Sequence, residues 1–297
     1  MGVARRLGSR RATRVGLVFL ALFLALGVWP TSWLPHDPTE VNLGLANRPG
    51  LWAGNWSQPL GTDFLGRDLL SRSVYAARLT LVIGLGAVTI ATLVGTVVGL
   101  LAGYFAGWVD EVLSWLIDVQ LAFPMIALAV AVIAVLGGSL TSLIGVLAAT
   151  SWFTTARVVR AQVLAVKASL FIEAAGALGA GSVRTVFRHI LPNVVSPILA
   201  VATFEMARLV LTESALSFLG LGVSSPQTTW GAMIGDGRAY VYESWWVATV
   251  PGLLIAALVI AFNFVGDGLR DAMDPTSYAS SGRTGGGGLR SEQATEP

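Results

Sequence analysis

Charged residues inside apolar segments are the first positions in this chain that suggest chemistry. A lone charge at the centre of a bilayer costs roughly 2.5 to 3.5 kcal/mol on insertion scales, so each one needs a protein or water partner. Glu205 and Arg208 stand three residues apart in one apolar segment, with Glu213 further along it. Asp118 stands in another, followed by Gln120 and Pro124. Glu205 and Arg208 share a helix face and read either as a pair that fixes packing or as the polar lining of a solute path. Glu213 admits the same two readings, and Asp118 belongs either to a polar bundle interior or near the inner interface. His36 and His189, the two histidines, are far apart in the chain, and there is no cysteine. The sequence therefore shows no metal ligand set, no disulfide framework and no catalytic constellation. A phosphate-binding P-loop needs Gly-Lys-Ser/Thr, yet the single lysine, Lys167, lies between Val166 and Ala168, so nucleotide chemistry belongs elsewhere.

The elements that hold these charges follow from composition. Of 297 residues, 54% are hydrophobic and 12% charged, and the mean hydropathy is +0.71. Apolar runs at 15–34, 79–104, 112–136, 140–162, 198–221 and 245–265 each approach the roughly 20 residues that a spanning helix needs. They lack strand alternation, and unpaired backbone is intolerable in lipid, so the expected fold is an all-α membrane protein with six transmembrane helices. With the N-terminus cytoplasmic, inside segments hold Arg5, Arg6, Arg10, Arg11, Arg14, Arg157, Arg160, Lys167, Arg184, Arg188, Arg270, Arg283 and Arg290. The outside holds Arg48, Arg67, Arg72, Arg78 and Arg238, a bias that agrees with the positive-inside rule. The formal charge of +2 reports this asymmetry and is no sign of a nucleic-acid partner. The expected organisation is a basic N-terminus at 1–14, a first helix at 15–34, an extracytoplasmic loop at 35–78, a five-helix core at 79–275 and a disordered Gly/Ser-rich tail at 276–297. Thr62 reads as a helix cap within the loop, and Gly84, Gly86, Gly95, Gly99 and Gly103 read as a close-packing stripe on the second span.

One stretch of the core is neither apolar nor a simple turn. Residues 173–192, EAAGALGAGSVRTVFRHILP, form a polar and basic island on the inside between the fourth and fifth spans. It reads as two short helices at an angle. Ser169 caps the first, and Glu173 lies in its opening turns, where a carboxylate suits the positive end of the macrodipole. Gly179, Ala180 and Gly181 break it, Gly179 supplying a position able to take positive φ. Ser182 caps the second helix, Arg184 and Arg188 share one of its faces, and Pro192 ends it. Ala174, Ala175, Gly176 and Ala177 leave the first helix with little side-chain relief, which suits the groove of another protein.

Glu173, Ala174, Ala175, Gly179, Leu191 and Pro192 fall in the register of the EAA loop of ABC-importer permeases, and the segment resembles that loop. His189 stands where the general pattern has Ile. Further segments are similar to the second permease subunit of dipeptide, oligopeptide and nickel importers: PLGTDFLGRDLLSR at 59–72, LAGYFAGWVDE at 101–111, DVQLAFP at 118–124, ESALSFLGLGV at 213–223, WGAMIGDGR at 230–238 and AFNFVGDGLRDAMDP at 261–275. The resemblance implies a type I importer architecture (MetI-like) in a prokaryotic inner membrane. It implies a second homologous permease, two cytoplasmic ATPase subunits that carry ATP and Mg, and an extracytoplasmic binding protein, with membrane lipid around the bundle. It also implies an ATPase-coupling loop at 169–192 that includes Ala180, Arg184 and Arg188, and no cofactor on this chain. Peptides are the expected cargo. Nickel chelates, opines or oligosaccharides remain open, and a different class, an ion-coupled carrier, would use Glu205, Arg208 and Glu213 as a proton relay. A membrane scaffold would tolerate their neutral replacement.

Overall fold

The computed structural model describes residues 11–273. Arg5, Arg6 and Arg10 at the start, and the Gly/Ser-rich tail, lie outside the described residues. Helix α1 (Arg11–Val28) stops short of the expected 34, because Pro30 disfavours helix in the residue before it. Trp29 and Trp33 then meet edge to face, with centroids 5.7 Å apart. Helix α2 (Leu69–Phe105) starts ten residues before the expected 79. Asp68, and not Thr62, caps it by accepting the Ser71 amide at 2.8 Å. Thr62 instead ties the preceding loop together, donating to the Leu45 carbonyl at 2.5 Å and accepting the Arg48 amide at 2.9 Å.

The third span departs most from expectation. In place of one helix over 112–136 there are two, α3 (Gly107–Ala122) and α4 (Met125–Leu136), bent by 85° at the break. Pro124 removes an amide and clashes with the preceding turn, which explains the interruption. The fourth span comprises α5 (Leu140–Ala149) and α6 (Trp152–Lys167), which pass as one span over Leu140–Lys167. Helix α7 (Leu170–Ala177) follows, then a long α8 (Ser182–Phe218), a short α9 (Trp230–Gly237) and α10 (Trp246–Met273). Five of these helices are long and apolar enough to cross a membrane, or six if the bent pair counts as one span.

Two contacts position the rest. The glycine stripe on α2 lets α6 lie almost against its backbone. A Cβ added at Gly95 would stand 2.4 Å from the Trp152 carbonyl oxygen, one at Gly99 2.6 Å from that of Ala156, and one at Gly103 2.7 Å from the Val163 Cβ. At the other end of α2, Asp63 is fully buried and accepts from the Leu65 and Arg67 amides at 2.9 and 3.0 Å, from Arg67 Nε at 2.7 Å and from Arg72 Nη1. Arg72 Nη2 reaches Asp236 on α9 at 3.4 Å. Arg67 and Arg72, two of the arginines expected outside, are thus neutralised locally by two aspartates. Trp246 Nε1 donates to the Thr62 carbonyl at 3.0 Å and Trp230 Nε1 to that of Ser73 at 2.9 Å, fastening the same loop and α2 to α9 and α10.

The stripe yields a direct test. Gly99→Ala should lower the thermal denaturation midpoint of the purified protein in detergent, by the equivalent of about 1–3 kcal/mol of overpacking. Gly145→Ala, where an added Cβ meets nothing within 4 Å, should leave the midpoint unchanged or slightly raised. Equal midpoints for the two variants would remove the stripe from this role.

Candidate functional site

The polar island sits where α6, α7 and the start of α8 converge. Helix α7 keeps a single buried side chain, Ile172, which joins Leu100, Val159, Val163, Ile190, Val194 and Ile198 in one apolar cluster. Most of α7 and its exit faces outward: Glu173, Ala174 and Gly176 are exposed, Ala175 is half-buried, and Leu178 is 89% exposed. Ser169 has the extended backbone of a cap, but its hydroxyl donates back to the Val166 carbonyl at 2.5 Å, so the expected side-chain cap is not made. At the other end the amide of Gly179 bonds to the Gly176 carbonyl at 2.9 Å and that of Ala180 to Ala175 at 3.0 Å. With Gly179 at φ +80°, this is the paired closure that a glycine after a helix favours. The break expected at Gly179 is present, and its cause is the left-handed backbone there.

The second half of the island differs from expectation in two ways. Gly181, not Ser182, holds the N-cap position, and no side chain caps the helix. Pro192 does not end a helix either. Residues Thr185–Ile190 form a π-helical turn that runs straight into the long segment beginning at Leu191. Pro192 lies in the first turn of that segment, where its missing amide costs little. The π-turn also accounts for His189: His189 is half-buried, while Ile190, one place on, is completely buried in the apolar cluster. Ile190, Val194 and Ile198 then recur at helical spacing on the buried face. Arg184 and Arg188 are exposed and, with Ala175, Leu178, Ala180 and His189, line an open cleft of about 470 Å³. Leu191 is half-buried.

A rigid base carries this cleft. Arg160 on α6 grips Asp110 on α3 through two bonds of 2.5 and 2.7 Å. Lys167 donates to the Tyr104 carbonyl at 2.6 Å and lies 5.4 Å from the centre of its ring. Sequence spacing offers no signal for pairs fifty or more residues apart.

The intramembrane charges separate into two kinds. Glu213 has no exposed surface and accepts from Ser217 Oγ at 2.6 Å and Ser214 Oγ at 3.5 Å, against the face of α8 that packs on Gly231 of α9. Glu205 is 6% exposed and accepts Arg208 Nε at 3.0 Å, while Arg208 Nη1 touches the Met125 sulfur at the start of α4. Asp118 pairs with Arg157 at 3.1 Å, their side chains 70% and 58% exposed. Arg157 and Arg160 lie on α6 itself and not in the loop that follows it. The structure brings Asp118 to α6 and Arg208 to the α3–α4 break, but it does not gather Glu205, Arg208 and Glu213 into one open relay. Among the described residues, no group of three or more His, Asp or Glu is placed to hold a metal ion.

A bundle of apolar helices with one broken span and a short, mostly exposed helix at one end defines a multi-pass membrane protein. Residues 95–277 match the family of binding-protein-dependent transport system inner membrane components, and the chain belongs to that family. It is 39% identical over 272 residues to the dipeptide transport system permease protein DppC of Alkalihalophilus pseudofirmus, covering 91% of this chain and 88% of that one. It is 38% identical to the glutathione transport system permease protein GsiD of Pectobacterium atrosepticum, covering 91% of this chain and 89% of the other. The fold resembles that of the MetNI methionine ABC transporter in inward-facing form, with TM-score 0.57 and 22% identity over 69% of this chain and 96% of that one. The protein is thus a multi-pass inner-membrane permease with the MetI-like fold, and its family works within multi-subunit transport systems.

The π-turn register can be checked by substitution. Ile190→Ala should cost about 2–5 kcal/mol of stability, as a large-to-small change in a closed core does. His189→Ile should stay within about 0.5 kcal/mol of the parent, both read as shifts in thermal midpoint in detergent. A larger loss at His189 than at Ile190 would reverse the register.

Proposed function

We propose that this chain is the transmembrane subunit of an ATP-driven importer of di- and oligopeptides. It forms half of the translocation path beside a second homologous permease, with its N-terminus and the 173–192 island in the cytoplasm. Two cytoplasmic ATPase subunits bind ATP and Mg, and an extracytoplasmic binding protein delivers the cargo. The chain itself performs no catalysis and holds no cofactor. The observation that carries this reading is α7: one side chain, Ile172, anchors it, Gly179 ends it in a left-handed conformation, and between them the small residues Ala174 to Ala177 are flanked by exposed Glu173 and Leu178. Such a helix fits closely into a groove on another protein, and its rear contact reaches the bundle directly.

In this reading Glu173, Ala174, Ala175, Gly176, Gly179 and Ala180 meet the ATPase. Arg184 and Arg188 line the adjoining cleft, and Leu191 and Pro192 set the entry into α8. The names of the relatives support peptides as cargo. An ion-coupled carrier needs a chain of groups that exchange protons with water, and here Glu213 is enclosed while Glu205 is paired. Arg208 and Asp118 lie beside the broken span and are proposed to line the path. Glu205 holds Arg208 in place there, and Glu213 acts as packing.

Glu173→Lys should leave insertion and thermal midpoint near the parent, because the position is exposed. Gly179→Leu instead puts a side chain at φ +80° and should lower the midpoint by the equivalent of about 1–2 kcal/mol while the protein still inserts. Each should reduce peptide uptake at least tenfold in proteoliposomes, through lost ATPase co-purification or through hydrolysis no longer tied to transport. Parent levels of both co-purification and ATP-dependent uptake in these variants would remove α7 from the coupling role.

A further inference from the structure

The α3–α4 break interrupts an apolar stretch that otherwise passes as one span. Helix α4 has 12 residues and is therefore about 18 Å long, short of a hydrocarbon core about 30 Å thick. With its Leu136 end at one membrane surface, its first residue, Met125, falls short of the other. Interrupted backbone at that depth is stable only where it faces protein or a water-filled cavity, yet within this chain Phe123 is 56% exposed and Ile126 49% exposed. The Asp118–Arg157 pair is also open, and Arg157 stands ten residues, about 15 Å, before Lys167. An open ion pair at that position is costly against lipid. The face bearing the break therefore meets water or a partner subunit.

Arg208 is the charged group that touches the break. A guanidinium offers two forked edges to carboxylates. Glu205 Oε2 takes the first edge, through Nε at 3.0 Å and Nη2 at 2.5 Å. Among the described residues the second edge, between Nη1 and Nη2, meets only the thioether of Met125, which is a weak acceptor. The side chain is 36% exposed, while its partner Glu205 is 8% exposed. One edge is thus spent on the pair with Glu205, and the other has no strong acceptor among the described residues.

We propose that this free edge of Arg208 receives the C-terminal carboxylate of the peptide in transit, which makes Arg208 a specificity-determining residue of the path. The inference rests on the peptide reading above. Every linear peptide carries this carboxylate whatever its side chains, so a path that passes varied peptides gains recognition from the one group they share. A fork on a fixed guanidinium matches a carboxylate in a way that an ammonium does not. Glu205 already neutralises Arg208, so the contact is weaker than a bare charge would make and the cargo is released onward, as conduction requires.

The test uses the assembled transporter with its binding protein in proteoliposomes, and follows uptake of a dipeptide and of its C-terminal amide. Arg208→Lys keeps the charge and loses the fork. Glu205→Gln with Arg208→Met removes the pair together and leaves no lone buried charge. Both should lower uptake of the free acid about tenfold and that of the amide less than twofold, and the binding protein's own preference cancels between variants. The chain has no cysteine, so Ile126→Cys gives a second readout on this subunit. A water-soluble maleimide should label it, the free dipeptide should slow labelling more than its amide does, and adding Arg208→Lys should abolish that difference. Equal losses for acid and amide, or protection that ignores the carboxylate, would overturn the role of Arg208 while leaving peptide transport intact. Failure of the parent assembly to take up any peptide would overturn the peptide reading, and this inference with it.

Discussion

The close approach of α2 and α6 along Gly95, Gly99 and Gly103 is the contact on which the rest of the bundle depends. Between helices in lipid the hydrophobic effect supplies little, so backbone proximity and van der Waals contact must hold the pair. Each of these three glycines faces a carbonyl or a β-carbon of α6 at a distance no side chain would tolerate, whereas Gly84 and Gly86 face Met206 and Ile144. Helix α6 in turn carries α7 at its end, and Val159 and Val163, which face Gly99 and Gly103, belong to the cluster that holds Ile172. The position of the exposed helix thus depends on the glycines of α2, whose Leu100 joins Ile172 in the same cluster.

A second constraint acts at the opposite end of α2. Asp63 takes bonds from two backbone amides and two guanidinium groups, which compensates a fully buried carboxylate and folds the loop before α2 around it. Breaking one partner of such a cluster would leave a buried charge unpaired. Through Arg72 and Asp236 the cluster also reaches α9, and through Trp246 and Thr62 it reaches α10. The loop is therefore part of the bundle's frame, and the early start of α2 at Leu69 follows from it.

What could be read from residues alone was what depends on local chemistry. The apolar runs gave the spans, the spacing of glycines gave the stripe, and Gly179 gave the left-handed helix exit. The pairing of Glu205 with Arg208 was legible because it lies within one helical turn. Other features need distant partners or small differences between backbone states. Asp110 with Arg160 and Asp118 with Arg157 unite separate helices, and hydropathy is blind to such pairs. The π-turn at Thr185–Ile190 differs from α-helix by about one residue per turn, so Pro192 looked like a helix boundary when it lies within the continuous α8 that Ser182 begins. His189 was a signal in hindsight: a polar residue at an apolar position, followed at once by Ile190, marks a one-residue shift in register. Pro124 was visible, but an apolar run masks a break, because the flanking residues are equally suited to lipid.

Burial and partner count together separate the structural charges from those proposed to meet cargo. Asp63 and Glu213 have no exposed surface and several donors each, and Arg72 is 4% exposed between two aspartates. Their hydrogen-bonding capacity is directed inward, and they hold elements together. Asp118, Arg157 and Arg208 are each paired once and remain open, all near the α3–α4 break. A protein that needed these three only for packing would gain by enclosing them, since an exposed charge in the membrane is stabilised only by water or by another polar surface. Their openness follows if the face they occupy is completed by a second permease and filled by water and cargo. The helix break then serves the same end as the charges, because it places unpaired backbone where a solute passes.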